Sequence, residues 1–169
     1  EFVDMPGEAR IKSIVISEPG QNPFIAYSDG GRMIKHLIDD HGEDAIQGMM
    51  GLREFCRVAG EAIGRFSTLR PPGSMGDIIR DAPTVQARDM LRKAFFGSAM
   101  DLIGEFFPDP TRHKVIRGQL AFAAVQSSSL GPYSPGSALC LVYTLASTVG
   151  EKQQSGRHVK GGMGRLMQG

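Results

Sequence analysis

The sequence is poor in cysteine and has no long hydrophobic run. Its two cysteines, Cys56 and Cys140, are far apart and each lies in an apolar helical pattern, which is typical of buried free thiols in a reducing compartment. The longest apolar run, Ala138 to Ala146, is interrupted by Thr144 and is far shorter than the roughly 20 residues that span a bilayer. Because no signal-peptide pattern opens the chain, we expect a cytoplasmic protein, with peripheral attachment to a membrane as the alternative.

An excess of charge of one sign is missing as well. The chain contains 19 Lys and Arg residues against 18 Asp and Glu residues, which gives a formal net charge of +1. Proteins that bind nucleic acid or anionic membranes carry a concentrated positive charge. The balance therefore offers no electrostatic argument for either partner, and we expect no binding to nucleic acid.

Glycine, in contrast, is abundant. It supplies 22 of the 169 residues, whereas an average protein contains about 7% glycine. Several of these glycines lie within helical patterns, where each one destabilises the helix by roughly 1 kcal/mol relative to alanine. The length is sufficient for one domain with a sizeable core. The glycine content nevertheless predicts that this domain depends on neighbouring parts of a larger protein for its stability.

Hydrophobic periodicity predicts an α+β fold that is predominantly helical. The segments 11–17 and 24–28 are typical of strands, and 157–160 is a weaker strand candidate. Apolar residues spaced by three and four predict a long helix over 44–66. The other predicted helices span 30–40, 74–80, 83–106, 113–126 and 134–149. We therefore divide the chain into a strand-rich segment at 1–30, a helical region at 31–156 and a final segment at 157–169.

Several helix boundaries are indicated by capping residues. Asp29 is a predicted N-cap of the first helix, and Ser74 with Asp77 forms a capping-box pattern. Ser134 is a predicted N-cap of the last helix, with Pro135 in the preferred first helical position. That last helix is apolar nearly all round, which predicts that it is buried in a larger body.

A short cluster of histidine and aspartate residues suggests a metal site. His36 and Asp40 are four residues apart and share one face of the predicted helix. His41 is five residues after His36 and is predicted to face elsewhere. Asp39 completes the cluster, but no further ligand follows with recognisable metal-site spacing. The sequence therefore favours a solvated helix end over a metal site.

The loop before the last helix superficially resembles the nucleophile elbow of hydrolases. The stretch Gly131-Pro-Tyr-Ser134-Pro-Gly136 has one residue too many before the serine, and no strand pattern precedes it. A serine hydrolase is therefore the weakest functional hypothesis. Neither G-x-G-x-x-G nor G-x-x-x-x-G-K-[ST] occurs in the sequence. Gly161-Gly-Met-Gly164 by itself predicts only a tight turn into a helix.

The order of the motifs in the last forty residues resembles a known family. The stretch from Gly131 to Tyr143 contains Ser-Pro-Gly-Ser, and His158-Val-Lys-Gly-Gly-Met-Gly-Arg-Leu166 follows after a short polar linker. This succession is similar to a paired signature of the phytoene-desaturase-like FAD/NAD(P)-dependent oxidoreductases, which include pyridine nucleotide-disulfide oxidoreductase domain-containing relatives. Upstream, 27–35 and 43–55 are similar to the cap strand and paired helices of that family.

Three departures from the family pattern bear on what the chain can do. The N-terminal dinucleotide motif of the family and its C-terminal stretch are missing, and Arg157-His158 replaces the aromatic residue that often precedes the Gly-Gly-Met-Gly turn. The sequence also begins with Glu1 rather than Met. The resemblance therefore implies a fragment of a two-domain flavoenzyme without its dinucleotide-binding core.

The resemblance also implies a function and a set of site residues. The chain would form the substrate-side part of an enzyme that transfers hydride from an apolar small-molecule substrate to FAD, with NAD(P) as a second candidate cofactor. The implied substrate-side residues are Tyr133, Ser134, Pro135 and Tyr143, although burial in the core is the favoured interpretation for the last of these. The implied flavin-side residues are Gly161, Gly162, Met163 and Gly164.

Three further expectations follow from the fragment interpretation. The isolated chain would be inactive, would bind FAD weakly or not at all, and would form a homo-oligomer through exposed apolar surface. The resemblance identifies no catalytic residue. A non-enzymatic helical interaction domain is the alternative function, because it explains the apolar helical stripes equally well.

Overall fold

Helices make up most of the chain in the computed structural model, so the fold is α+β and predominantly helical as predicted. The structure describes residues 2–3, 11–15, 19–20, 22–27, 29–64, 71, 73–126, 128–149 and 158–159. The helices are α1 (Gly30–His36), a π-helical turn (Leu37–His41), α2 (Glu43–Ile63), α3 (Met75–Arg80), α4 (Val85–Phe96), α5 (Ala99–Phe106), α6 (Lys114–Val125) and α7 (Ser137–Val149). Within these ranges, no helix has the length and apolar character needed to cross a membrane.

The strands form two short antiparallel pairs. Strands β2 (Ile11–Val15) and β3 (Phe24–Tyr27) form a hairpin in which Val15 lies opposite Phe24. Strands β1 (Phe2–Val3) and β4 (His158–Val159) pair with each other. The predicted strands at 11–17, 24–28 and 157–160 are therefore confirmed over 11–15, 24–27 and 158–159, and their other positions lie outside the described residues.

Helix α2 is the longest described element and confirms the helix predicted over 44–66 as far as Ile63. Gly64 is its C-cap, and 65–66 lie outside the described residues. Its buried positions follow the predicted spacing of three and four. Gly48 lies on the same face, where a Cβ atom would come within 2.5 Å of the Phe106 carbonyl oxygen and 2.8 Å of the Phe107 ring. This glycine allows the backbone of α2 to approach the end of α5. The buried positions of α2 are Ala45, Gly48, Leu52, Phe55, Cys56, Ala59 and Ala62.

The single helix predicted over 83–106 is wrong, because the structure divides it into α4 and α5. The chain leaves the helical conformation at Gly97, and Ser98 then caps α5 by accepting a hydrogen bond from Asp101 N at 3.1 Å. Glycine weakens the helix at this point, and Ser98 with Asp101 provides a new N-terminal cap. The break creates a junction between α4 and α5, and the turn before α7 contacts this junction.

Helix α7 lies at the centre of the helical body and packs against α2, α4, α5 and α6. Its inner face carries Ala138, Leu141 and Val142, all fully buried. The expectation that this helix is buried on all sides is wrong, because Tyr143 is 72% exposed. The largest fully buried apolar side chains of the core are Leu52, Leu91, Ile103, Phe107, Ile116, Leu141 and Val142.

Candidate functional site

The turn that precedes α7 docks into the α4–α5 junction. Gly136 N donates to the Gly97 carbonyl at 2.9 Å, and Met100 N donates to the Pro132 carbonyl at 3.0 Å. Gly136 has a φ of +85°, a left-handed conformation that glycine adopts without steric cost. The Ser-Pro-Gly-Ser stretch is therefore a shaped turn that two backbone hydrogen bonds hold against the helix break.

The prediction that Ser134 caps the last helix is wrong. Helix α7 begins at Ser137, and residues 134–136 form a turn in which Ser137 N donates to the Ser134 carbonyl at 3.1 Å. The positive φ of Gly136 is incompatible with a right-handed helix that starts earlier. Among the described residues, the Ser134 hydroxyl has no hydrogen-bond partner.

Ser137, which the sequence analysis did not single out, is the polar centre of this turn. Its side chain is fully buried. Its Oγ accepts a hydrogen bond from Ala99 N at 2.8 Å and donates to the Ser134 carbonyl at 2.7 Å, with the Pro132 carbonyl at 3.2 Å. A single hydroxyl thus connects the start of α5 to the turn. Its sequence signal was only the second serine of Ser-Pro-Gly-Ser.

The residues implied to lie beside a substrate are exposed to different degrees. Tyr133 is 74% exposed, Pro135 is exposed and Ser134 is half-buried. The turn brings these three together, whereas Tyr143 lies on α7, about 9 Å along the helix axis from Ser137. The favoured interpretation of Tyr143 as a core residue is wrong, since its ring faces outwards.

The residues implied to lie beside a flavin fall outside the described part of the chain. Gly161, Gly162, Met163 and Gly164 all follow β4. Their assignment stays a prediction that rests on the family resemblance.

A second polar site, which the sequence analysis misjudged, is formed by buried histidines. His36 and His41 are 7% and 8% exposed, and their rings meet edge to face with centroids 5.2 Å apart. The π-helical turn places residues five apart above one another, so the prediction that His41 faces away from His36 is wrong. The interpretation as a solvated helix end holds for Asp39 and Asp40, which are exposed, and is wrong for both histidines.

The hydrogen bonds of His36 determine its tautomer. Ile25 N donates to His36 Nε2 at 2.9 Å, so this ring nitrogen carries a lone pair and no proton. The other nitrogen, Nδ1, lies 2.6 Å from Asp40 Oδ2 and therefore carries the proton that it donates to the carboxylate. His36 is thus a neutral imidazole that binds the hairpin on one side and the π-helical turn on the other.

His41 also contacts the segment that leads into β3. Its Nε2 lies 3.3 Å from the Pro23 carbonyl, which can only accept a hydrogen bond, so Nε2 is the donor. Burial lowers the pKa of His41 below the ordinary value of 6.5, and the neighbouring His36 lowers it further. His41 is therefore also favoured in its neutral form.

A third buried histidine, His113, lies beside Asp44. Its Nε2 is 3.1 Å from Asp44 Oδ2, which is within ion-pair distance, but the angle does not meet hydrogen-bond geometry. Arg112 Nη2 approaches the other carboxylate oxygen of Asp44 at 2.8 Å. Despite three histidines and three aspartates in this region, no group of three or more His, Cys, Asp or Glu side chains in the described ranges could hold a metal ion.

An open cleft of about 250 Å³ lies beside His41. Asp40, His41 and Arg112 contribute its charged or titratable lining. The carboxylate and the guanidinium have opposite charges, and Arg112 is already paired with Asp44. The cleft therefore favours neither an anion nor a cation.

Comparison of the chain with protein-family models, with curated proteins and with solved structures finds no match. The assignment of a function therefore depends on the motifs and on the two polar sites described above. Of these, the turn at 131–137 carries both the motif resemblance and one exposed aromatic side chain, that of Tyr133.

Proposed function

We propose that the chain forms the substrate-side part of a two-domain FAD-dependent oxidoreductase that acts on an apolar small molecule. The proposal rests on the succession of Ser-Pro-Gly-Ser and Gly-Gly-Met-Gly, which is similar to the phytoene-desaturase-like family. In such an enzyme FAD accepts hydride from the substrate, and NAD(P) is a second candidate cofactor. The protein part described here would orient the substrate and exclude water.

The observation that carries the proposal is the exposure of Tyr133 on a turn that buried hydrogen bonds hold in place, together with exposed aromatic residues on α6 and α7. Gly136 and Ser137 hold the turn in place through buried hydrogen bonds, whereas Tyr133 is 74% exposed. Tyr143 is similarly exposed on α7, and Phe122 is exposed on the adjacent α6. Large exposed apolar side chains on a rigid support are typical of a surface that another body or a ligand covers.

The chemistry expected at this surface requires no acid–base pair. Hydride transfer to a flavin depends on the distance and orientation of the substrate, which the surrounding protein supplies. The Ser134 hydroxyl has no described base beside it, because His36, His41 and His113 all belong to the other polar site. This arrangement supports an orienting role for the turn and opposes a serine nucleophile. We expect no labelling of Ser134 by a fluorophosphonate.

The proposal is tested by flavin content and by substitution of the exposed tyrosines. We expect the complete protein to be yellow and the isolated 169-residue chain to be colourless, with weak or no binding of FAD in calorimetry. In the flavin-containing protein, Tyr133→Ala with Tyr143→Ala should weaken binding of an apolar ligand, measured as a change in the flavin spectrum. Met50→Ala is the matched control, since Met50 is a similarly exposed apolar side chain on α2.

A complete protein without flavin would contradict the proposal. Equal ligand binding by the double tyrosine variant and the Met50→Ala control would contradict the placement of the substrate at this surface. Tight stoichiometric FAD binding by the isolated chain would contradict the assignment of the dinucleotide site to another part of the protein.

The alternative function, a helical interaction domain without enzymatic activity, is favoured by the same exposed side chains. Phe96 and Val85 on α4 are exposed in addition to the residues named above. Such a domain would form a homo-oligomer or a complex through these side chains. Two measurements together distinguish the two functions: the flavin content of the protein and the sedimentation of the isolated chain. A protein without flavin, whose isolated chain forms an oligomer that the tyrosine substitutions dissociate, would establish the alternative.

A further inference from the structure

Two backbone groups of the β2–β3 hairpin are bound by neutral histidine side chains. Ile25 N donates to His36 Nε2 at 2.9 Å, and the Pro23 carbonyl lies 3.3 Å from His41 Nε2. Phe24, between these two residues, is buried and its ring lies 6.1 Å from each imidazole centroid. The end of the hairpin is thus held against the π-helical turn by one apolar anchor and two imidazoles.

Protonation of either ring would weaken this attachment. His36 must be unprotonated at Nε2 to accept from Ile25 N, so a proton at that atom would place two donors face to face. A proton on His41 would bring a positive charge into a buried site. Both charges together would repel, since the ring centroids are only 5.2 Å apart.

The surrounding charged and titratable groups offer limited compensation. From the π-helical turn, Asp40 contacts His36 Nδ1 at 2.6 Å and can neutralise one positive charge. From β3, Tyr27 contacts the His36 ring edge to face. On the other side His113 acts against a charge on His41, and the nearest further carboxylate, Asp44, is already engaged by Arg112. The environment is therefore suited to two neutral imidazoles.

We propose that His36 and His41 form an acid-sensitive latch, which holds the β2–β3 hairpin on the helical body at neutral pH and releases it when the imidazoles are protonated. The released His41 would regain contact with water and with it the ordinary histidine pKa of 6.5. Release coupled to uptake of one proton makes the opening equilibrium rise roughly tenfold for each pH unit below that value. The latch is independent of the proposed flavoenzyme function.

Hydrogen–deuterium exchange of the whole chain tests the latch directly. Exchange is compared at about pH 7.5 and about pH 5.5, after correction for the intrinsic exchange rates at each pH. We expect the β3 amides, including Ile25 N, to be less protected than those of α4 at both pH values and to lose about tenfold in protection at the lower pH. Constant protection of β3 would overturn the proposal, and so would equal protection of β3 and α4 at the lower pH, because that result means that β3 exchanges only when the whole chain unfolds.

Substitutions that keep the hydrogen bonds but remove the titration provide the second test. Glutamine can accept from Ile25 N through its carbonyl and can donate to the Pro23 carbonyl through its amide, and it does not titrate. The double variant His36→Gln and His41→Gln should therefore show no pH-dependent loss of protection in β3. His158→Gln is the matched control and should retain the wild-type loss. A double variant that still loses about tenfold, or a control variant that loses none, would overturn the assignment to His36 and His41. If the double variant fails to fold, the wild-type comparison of β3 with α4 still decides.

Discussion

Replacement of Ser137 by alanine removes a fully buried hydroxyl that connects the start of α5 to the turn before α7. The Oγ accepts from Ala99 N at 2.8 Å and donates to the Ser134 carbonyl at 2.7 Å. In the variant, the Ala99 amide at the start of α5 loses this acceptor. Because Ser137 is 0% exposed, solvent does not reach the position of the lost hydroxyl. An unsatisfied buried amide costs about 1–3 kcal/mol, and we expect Ser137→Ala to lower the free energy of unfolding by that amount.

Ser134→Ala is the matched control, three residues earlier in the same turn. The Ser134 hydroxyl has no hydrogen-bond partner in the described structure, so we expect its removal to change stability by less than about 0.5 kcal/mol. Had Ser134 been the helix cap that the sequence predicts, the same substitution would cost about 0.5–2 kcal/mol. Comparison of the two serine variants therefore distinguishes a turn that is held by Ser137 from a helix that is capped by Ser134.

Urea unfolding followed by far-ultraviolet circular dichroism measures both variants. The shift of the unfolding midpoint at constant slope gives the change in free energy. A Ser134→Ala variant that is destabilised as strongly as Ser137→Ala would refute the reasoning, because it would mean that the first serine carries the cap. A change of slope in Ser137→Ala would indicate that the substitution alters the compactness of the native or unfolded state.

Three further predictions concern other positions. Gly136→Ala should destabilise the protein by roughly 1–2 kcal/mol, because Gly136 has a positive φ. Gly118→Ala should instead stabilise it by about 0.5–1 kcal/mol, because Gly118 lies in an open position of α6. The urea concentration at the unfolding midpoint measures both effects. Burial raises the pKa of the Cys56 thiol to about 12, so iodoacetamide should alkylate Cys140 in the native protein and Cys56 only after unfolding. The pKa of His41 in the folded protein lies below 6.5, so unfolding at acid pH takes up a proton, and the stability contributed by the neutral imidazole is complete above pH 6.5 and declines below it. When the pH is lowered, the melting temperature should therefore fall less for His41→Gln than for wild type. Equal falls would contradict this prediction.

Local signals in the sequence predicted the elements that local forces determine. Asp29 accepts from Arg32 N, and Ser74 accepts from Asp77 N, as their capping patterns indicate. The apolar stripe of α2 lies on the buried side of the helix. These features depend on residues within about one turn of each other, so a single sequence is sufficient to predict them.

The features that the sequence did not predict depend on distant partners or on competing local signals. Ser137 bonds to Ala99, 38 positions away, and no local pattern distinguishes it from Ser134. The exposure of Tyr143 depends on which neighbours cover α7, and periodicity alone does not reveal that. The five-residue spacing of His36 and His41 matches one turn of a π-helix, whereas the geometry of an α-helix predicts that the two side chains face different directions.

The buried polar residues of the described structure divide between the two sites. Ser98 and Ser137 lie at the α4–α5 junction, and the three histidines lie between the hairpin, the π-helical turn and α6. The apolar core around them tolerates substitutions of similar volume, whereas a buried polar group is costly unless its partners are in place. The two sites should therefore respond to different perturbations. Substitution at the serine junction should move the turn that carries Tyr133 and so alter the ligand binding proposed for that turn at any pH. Substitution of the histidines should instead alter the pH dependence of the hairpin and of the overall stability. A histidine variant that changed ligand binding at neutral pH without loss of stability would show that the two sites are coupled through the helical core.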